Sequence, residues 1–126
     1  MKSLYIGLVL IIIVYGLGIY MSHILNTYLN EAYDIVIEIE NATDAEDWTT
    51  VKQKIAELTA MWPDKHTRLA YFIDHDELDK IEIAIAKIDG ENILNDKYLL
   101  FPELVSLRKI LEQVRGKYEF RLSNIV

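Results

Sequence analysis

The run Asp74-His75-Asp76-Glu77-x-Asp79-x-x-Glu82 is the densest group of side chains able to do chemistry in this chain. His75 and Asp79 are four residues apart, and in a helix that spacing puts them on one face within pairing distance. One imidazole and two carboxylates, from His75, Asp79 and Glu82, with His66 as a further candidate, are donor types that suit zinc or manganese. No His-Glu-x-x-His pattern accompanies them. His75 with Asp79 also has the parts of an acid–base pair, but no nucleophile, glycine loop or oxyanion arrangement stands beside it. The sequence therefore points away from an enzyme, and no cofactor is implied. The least demanding reading is structural: on a helical wheel Asp74 falls close to an apolar stripe and His75 on its shoulder. Asp74, His75 and Asp79 then form a polar lock inside a helical core, where a buried carboxylate needs a partner.

The elements that would hold this cluster are helical throughout. Leu25, Leu29, Ala32, Val36 and Ile39 alternate steps of four and three, the stripe of one helix face. Trp48, Val51, Ile55, Leu58 and Trp62 make a second stripe, with the two tryptophans as core anchors. Tyr71, Leu78, Ile81, Ile85 and Ile88 make a third, and Leu104, Leu107, Leu111, Val114 and Tyr118 a fourth. Thr43 with Glu46 fits a capping box, and Asp44 is a competing cap. Pro63-Asp64 and Asp89-Gly90 read as stops. Pro102 reads as the first turn of the last helix. These signals predict helices over about 25–41, 44–62, 65–89 and 102–122. Ile93, Leu94, Leu99 and Leu100, between the last two, are expected to be buried.

Below the first stripe the chain changes character. Ser3 to Asn30 contains no Asp, Glu, Lys or Arg, whereas the residues after Asn30 carry all 20 acidic residues and 12 of the 13 basic ones. About 20 apolar residues in a helix cross the ~30 Å hydrocarbon layer of a membrane. Residues 1–24 are thus predicted to be a transmembrane anchor and 25–126 a helical domain, with no break between them. Tyr5, Tyr20 and Tyr28 suit the two interfaces, and His23 lies at the membrane edge. Lys2 precedes the span and no base follows it until Lys52. The positive-inside rule then puts the N-terminus in the cytoplasm and the domain outside the cell membrane. Gly16-Leu17-Gly18 resembles a signal-peptidase site, but the apolar run continues past it, which favours an uncleaved single-pass anchor. Gly16, Gly18 and Ser22 would let another transmembrane helix pack closely.

Short connections make neighbouring helices antiparallel. The fold class is therefore all-α: a transmembrane helix continuing into an antiparallel extracytoplasmic bundle. The basic end of the last helix, Arg115, Lys117 and Arg121, would face the outer lipid surface, although helix C-termini favour bases in any case. The acidic domain repels phosphate backbones, which argues against nucleic acid. The absence of cysteine removes disulfides and thiol chemistry.

Trp48, Trp62, the segment Phe72-Ile73-Asp74-His75-Asp76-Glu77-Leu78-Asp79 and the closing Leu122-Ser123-Asn124-Ile125, set behind the apolar N-terminal run, resemble the domain-of-unknown-function family four-three-six-three. The likeness covers essentially the whole chain. That family comprises small single-span proteins of spore-forming Gram-positive bacteria and has no established activity. The resemblance implies a YetF-type multi-span membrane protein as a partner. The expected function is a non-enzymatic accessory or interaction subunit of a larger membrane protein. The alternative is an extracytoplasmic ligand or cation sensor built on His75, Asp79 and Glu82.

Overall fold

The computed structural model describes the backbone of residues 1–125 and the side chains of residues 1–119. It is all-helical among those residues. Four helices, α1 (Lys2–Asp44), α2 (Trp48–Leu69), α3 (His75–Glu91) and α4 (Lys97–Ile125), are joined by short turns, with one 3-10 turn at Asn92–Leu94.

The first helix has 43 residues, which at 1.5 Å per residue makes it roughly 65 Å long. Its two halves differ as the composition predicts. From Leu4 to Tyr20 nearly every large apolar side chain is about half exposed or more, because no other described helix covers it. This is a helix long and apolar enough to cross a membrane. From Leu25 onward the predicted stripe Leu25, Leu29, Ala32, Val36, Ile39 is buried. The helix ends in a Schellman motif: the Asp47 N–H donates to the Ala42 carbonyl (2.9 Å) and the Glu46 N–H to that of Thr43 (3.0 Å). Glu46 adopts the left-handed φ of 56° that this motif needs. The next helix is capped by Asp47, not by Thr43 or Asp44. The Asp47 carboxylate accepts from the Thr50 hydroxyl at 2.6 Å and from the Thr50 N–H at 3.4 Å.

Pro63 does not stop α2, which continues to Leu69. Proline removes the N–H that would reach the Thr59 carbonyl. The apolar stripe nevertheless runs on beyond it, as Val51, Ile55, Leu58, Trp62, Lys65, Leu69. Burying Leu69 and the stem of Lys65 outweighs one lost hydrogen bond, and Pro63 itself faces outward. The break falls instead at Ala70–Asp74, where the N–H groups of Phe72 and Ile73 both donate to the Leu69 carbonyl (2.9 Å each) and Ile73 plugs the core. The third helix therefore begins at His75, ten residues later than predicted. Tyr71, expected on its stripe, lies in the turn and is 82% exposed. The last helix begins early, at Lys97, because Asp96 caps it, accepting from the N–H groups of Tyr98 (2.9 Å) and Leu99 (3.4 Å). Pro102 sits in its second turn.

The first and third helices each pack against both the second and the fourth. Leu78, Ile81 and Ile88 from α3 and Leu104, Leu107 and Leu111 from α4 complete one core with the stripes of α1 and α2. At ~1.5–3 kcal/mol for each fully buried side chain of this type, this core is the main source of stability. Polar pairs fix the register around it. Glu38 meets Lys54 (2.8 Å), Glu31 meets Lys65, and Tyr28 accepts from Arg68 (3.1 Å). Arg108 reaches Glu40 (2.8 Å) and Arg115 donates to Asn30 (2.7 Å). Trp62 is buried as expected, whereas Trp48 is only half-buried at the start of α2.

Candidate functional site

The acidic cluster is not a lock inside the core. The side chains of Asp74, His75 and Asp79 are 64%, 76% and 45% exposed. The wheel placement assumed one helix from residue 65, and the break at residues 70–74 rotates everything after it. Asp74 ends as the residue before α3, its carboxylate making no cap hydrogen bond and its N–H donating to the Tyr118 hydroxyl at 2.8 Å. Burial pushes the Tyr118 phenol above its ordinary value, and the hydrogen bond from Asp74 partly offsets that. Lys117 binds Glu77 at 2.7 Å and approaches Asp74 at 3.9 Å. Asp74, His75, Asp76, Glu77, Lys80 and Lys117 line an open cavity of about 420 Å³.

Beside that cavity two helices bring a second group together. His66, in the last turn of α2, faces Asp79 and Glu82, three residues apart on α3. One ligand atom from each of the three lies within 4.8 Å of the other two. His75 stands one turn before Asp79, its Nε2 3.7 Å from the Asp79 carboxylate. The rings of His66 and His75 are 6.3 Å apart at 76°, and Trp62 also meets His66 edge-on, at 6.3 Å. His66 is half-buried. Its Nε2 has no contact with solvent and no hydrogen-bond partner among the described residues. Of the predicted set, Asp79 and Glu82 therefore converge, His75 adjoins them, and His66, at first only a further candidate, is central. The missed signal was the four-residue step from Trp62 to His66, hidden by reading Pro63 as an end.

Two other expectations look different in place. Arg115 and Lys117 are occupied within the protein, by Asn30 and the Tyr33 ring, and by Glu77 and Asp74. The side chains of Arg121 and of the closing Leu122–Ile125 segment lie outside those described. Gly16 is open, with no atom within 4 Å of a Cβ built on it. Gly18 is buried and Ser22 half-buried.

Ile93, Leu94 and Leu99 are exposed rather than buried, at 80%, 60% and 47%, with Tyr98 at 87%. They sit at the end of the domain farthest from the apolar half of α1. There Lys97 binds Asp44 (3.1 Å to both its carboxylate and its carbonyl), a contact that holds the ammonium above its ordinary pKa. Only Leu100 turns inward. Asp44, Lys97, Tyr98, Phe101 and Pro102 line a largely apolar hollow of about 240 Å³ on the same end.

No curated protein and no solved structure matches this chain. A family model does, over residues 19–125; it takes in α2, α3, α4 and the later part of α1, and leaves out nearly all of the exposed apolar run from Leu4 to Tyr20. The chain belongs to the family described as Domain of unknown function (DUF4363).

Proposed function

We propose that this protein is a membrane-anchored, non-enzymatic accessory subunit. The apolar half of α1 crosses the bilayer once with its N-terminus in the cytoplasm, and the rest forms an antiparallel up-down bundle outside. A larger membrane protein binds it at the tip. The observation that carries this reading is the apolar tip itself. Four large side chains within seven residues, Ile93, Leu94, Tyr98 and Leu99, face water beside a hollow. Contiguous apolar exposure of this kind costs solubility and marks interaction surfaces. Capped ends and buried stripes elsewhere show that the sequence can cover apolar groups where it needs to. Gly16 supports a second contact within the bilayer, since a neighbouring helix can reach its backbone there. The pairing of Glu38, Glu31 and Tyr28 with Lys54, Lys65 and Arg68 supports the antiparallel order of the first two helices. A multi-span protein of the YetF type is the partner we favour.

The test is crosslinking and co-purification from native membranes in mild detergent. Leu94→Glu with Tyr98→Glu, and separately Gly16→Leu, should reduce recovery of the partner at least tenfold. The helical circular-dichroism signal and melting temperature should stay unchanged. Undiminished recovery with both variants, or release of the wild-type chain from membranes by carbonate, refutes the proposal.

A further inference from the structure

We propose that His66, Asp79 and Glu82, completed by His75, form a binding site for one divalent transition cation, zinc or manganese, that clamps the end of α2 to the start of α3. The site does not depend on anchoring or on the tip. Three observations support it. First, the three ligand atoms already lie within 4.8 Å of one another across two helices. Around an ion with bonds of ~2.0–2.2 Å, tetrahedral neighbours stand about 3.3 Å apart. Second, His75 adjoins the set on the Asp79 side, outside the group of three but one turn away on the same face of α3. Its Nε2 is 3.7 Å from the Asp79 carboxylate. Its ring centre is 6.3 Å from that of His66, against about 5–6 Å for two imidazoles on one tetrahedral ion. Third, the His66 Nε2 is shut off from water without a partner among the described residues. A sequestered ring nitrogen of that kind is expected to be satisfied, and a cation or a bridging water would satisfy it.

The donor set decides the ion class. Two neutral imidazoles and two carboxylates balance a 2+ charge, and they suit borderline cations. Calcium asks for six to eight oxygens, and magnesium keeps most of its water. For zinc, four protein ligands leave no open position and the site is structural in type, whereas an octahedral manganese would take two waters as well. His75, Asp79 and Glu82 lie at i, i+4 and i+7 on α3, and His66 lies across the turn at residues 70–74. An ion there holds that turn closed, and with it the placement of Asp74 against Tyr118.

The full-length chain in detergent micelles, stripped with a chelator, is titrated calorimetrically with ZnCl₂, MnCl₂ and CaCl₂. The expected result is one zinc or manganese ion per chain, no saturable calcium binding, and a higher melting temperature with the bound ion. His66→Gln and Asp79→Asn should each weaken binding at least tenfold, and His75→Ala by a smaller factor. His23→Ala, outside the cluster, should change nothing. Metal-free melts of every variant separate a lost site from a lost fold. If either α2 or α3 variant melts early without metal, Glu82→Gln on the exposed edge replaces it, with the same tenfold expectation. No saturable binding of zinc or manganese, or binding that survives in His66→Gln combined with Asp79→Asn, overturns the proposal.

Discussion

Lys65 offers a test of what holds α2 against α1. It occupies a core position of the stripe and is only 5% exposed. Its ammonium pairs with Glu31 and stands 4.5 Å from the centre of the Tyr28 ring. An ion pair with both partners buried would cost about 3–5 kcal/mol to break from one side. Here the Glu31 side chain is 55% exposed and keeps much of its hydration, so the pair is worth ~0–1 kcal/mol. The aliphatic stem counts for more. Lys65→Ala removes three methylenes from the core at ~0.8 kcal/mol each, and the ring contact adds about 0.5–1 kcal/mol. Lys65→Ala should therefore cost about 3 kcal/mol, which for a chain of this length lowers the melting temperature by roughly 10 °C. Lys65→Met keeps the stem and should recover most of that loss. Glu31→Gln should cost less than about 1 kcal/mol. Thermal melts followed by circular dichroism in micelles read all three. If Glu31→Gln proves as damaging as Lys65→Ala, or Lys65→Met no better than Lys65→Ala, burial of the stem is not what matters and the reasoning fails.

Pro63→Ala restores the N–H that α2 lacks opposite the Thr59 carbonyl at an exposed position, and should stabilise the protein by about 1–3 kcal/mol; a lower melting temperature would show that the proline is needed for the path of the helix. At high pH the stability should fall. Burial raises the Tyr118 phenol above 10.0. Hydrogen bonds to Glu38 and then Glu57 raise the Lys54 ammonium above 10.5. Both groups hold their protons more tightly folded than unfolded, so their contributions are complete below about pH 10 and are lost as the pH rises through the folded values. Melting temperatures should drop as the pH rises above about 10, less steeply in Tyr118→Phe, and a profile identical in wild type and variant would remove Tyr118 from the account.

The core was legible in the sequence because its signal is redundant. Each stripe repeats over four or five turns, and four helices of matching period can only bury one another. All five residues of the first stripe and all five of the last are buried. The ends were harder to read because each depends on one or two residues whose effect is decided elsewhere. Pro63 looks like a stop until Lys65 and Leu69 are seen to continue the stripe. Asp96 looks like one acid among many until its carboxylate is found on two backbone N–H groups. Those errors propagated to the cluster. Extending α3 back through Tyr71 rotated Asp74 and His75 into the core and left His66 on the wrong helix. Glu40 was invisible for a different reason. It extends the α1 stripe at four residues from Val36, but only Arg108, 68 residues away, explains how an acidic side chain 11% exposed is tolerated there.

The continuity of α1 constrains how any tethered function can work. No glycine, proline or serine cluster separates the apolar half from the buried stripe, and the helix runs unbroken from Lys2 to Asp44. A flexible linker would let the domain sample a wide volume above a membrane. Here the residue that starts the core, Leu25, follows the last exposed apolar residues within one or two turns. With the apolar half in lipid, the 20 residues from Leu25 to Asp44 hold the tip about 30 Å above the bilayer edge. Tilt of the span then translates directly into displacement of Ile93, Leu94 and Tyr98. A partner that binds the tip must offer an apolar surface at that height, and one that also packs on Gly16 fixes the tilt. The two contacts are thus coupled through a single rigid helix, so inserting two glycines after Ser22 should weaken a two-point partner far more than a one-point one.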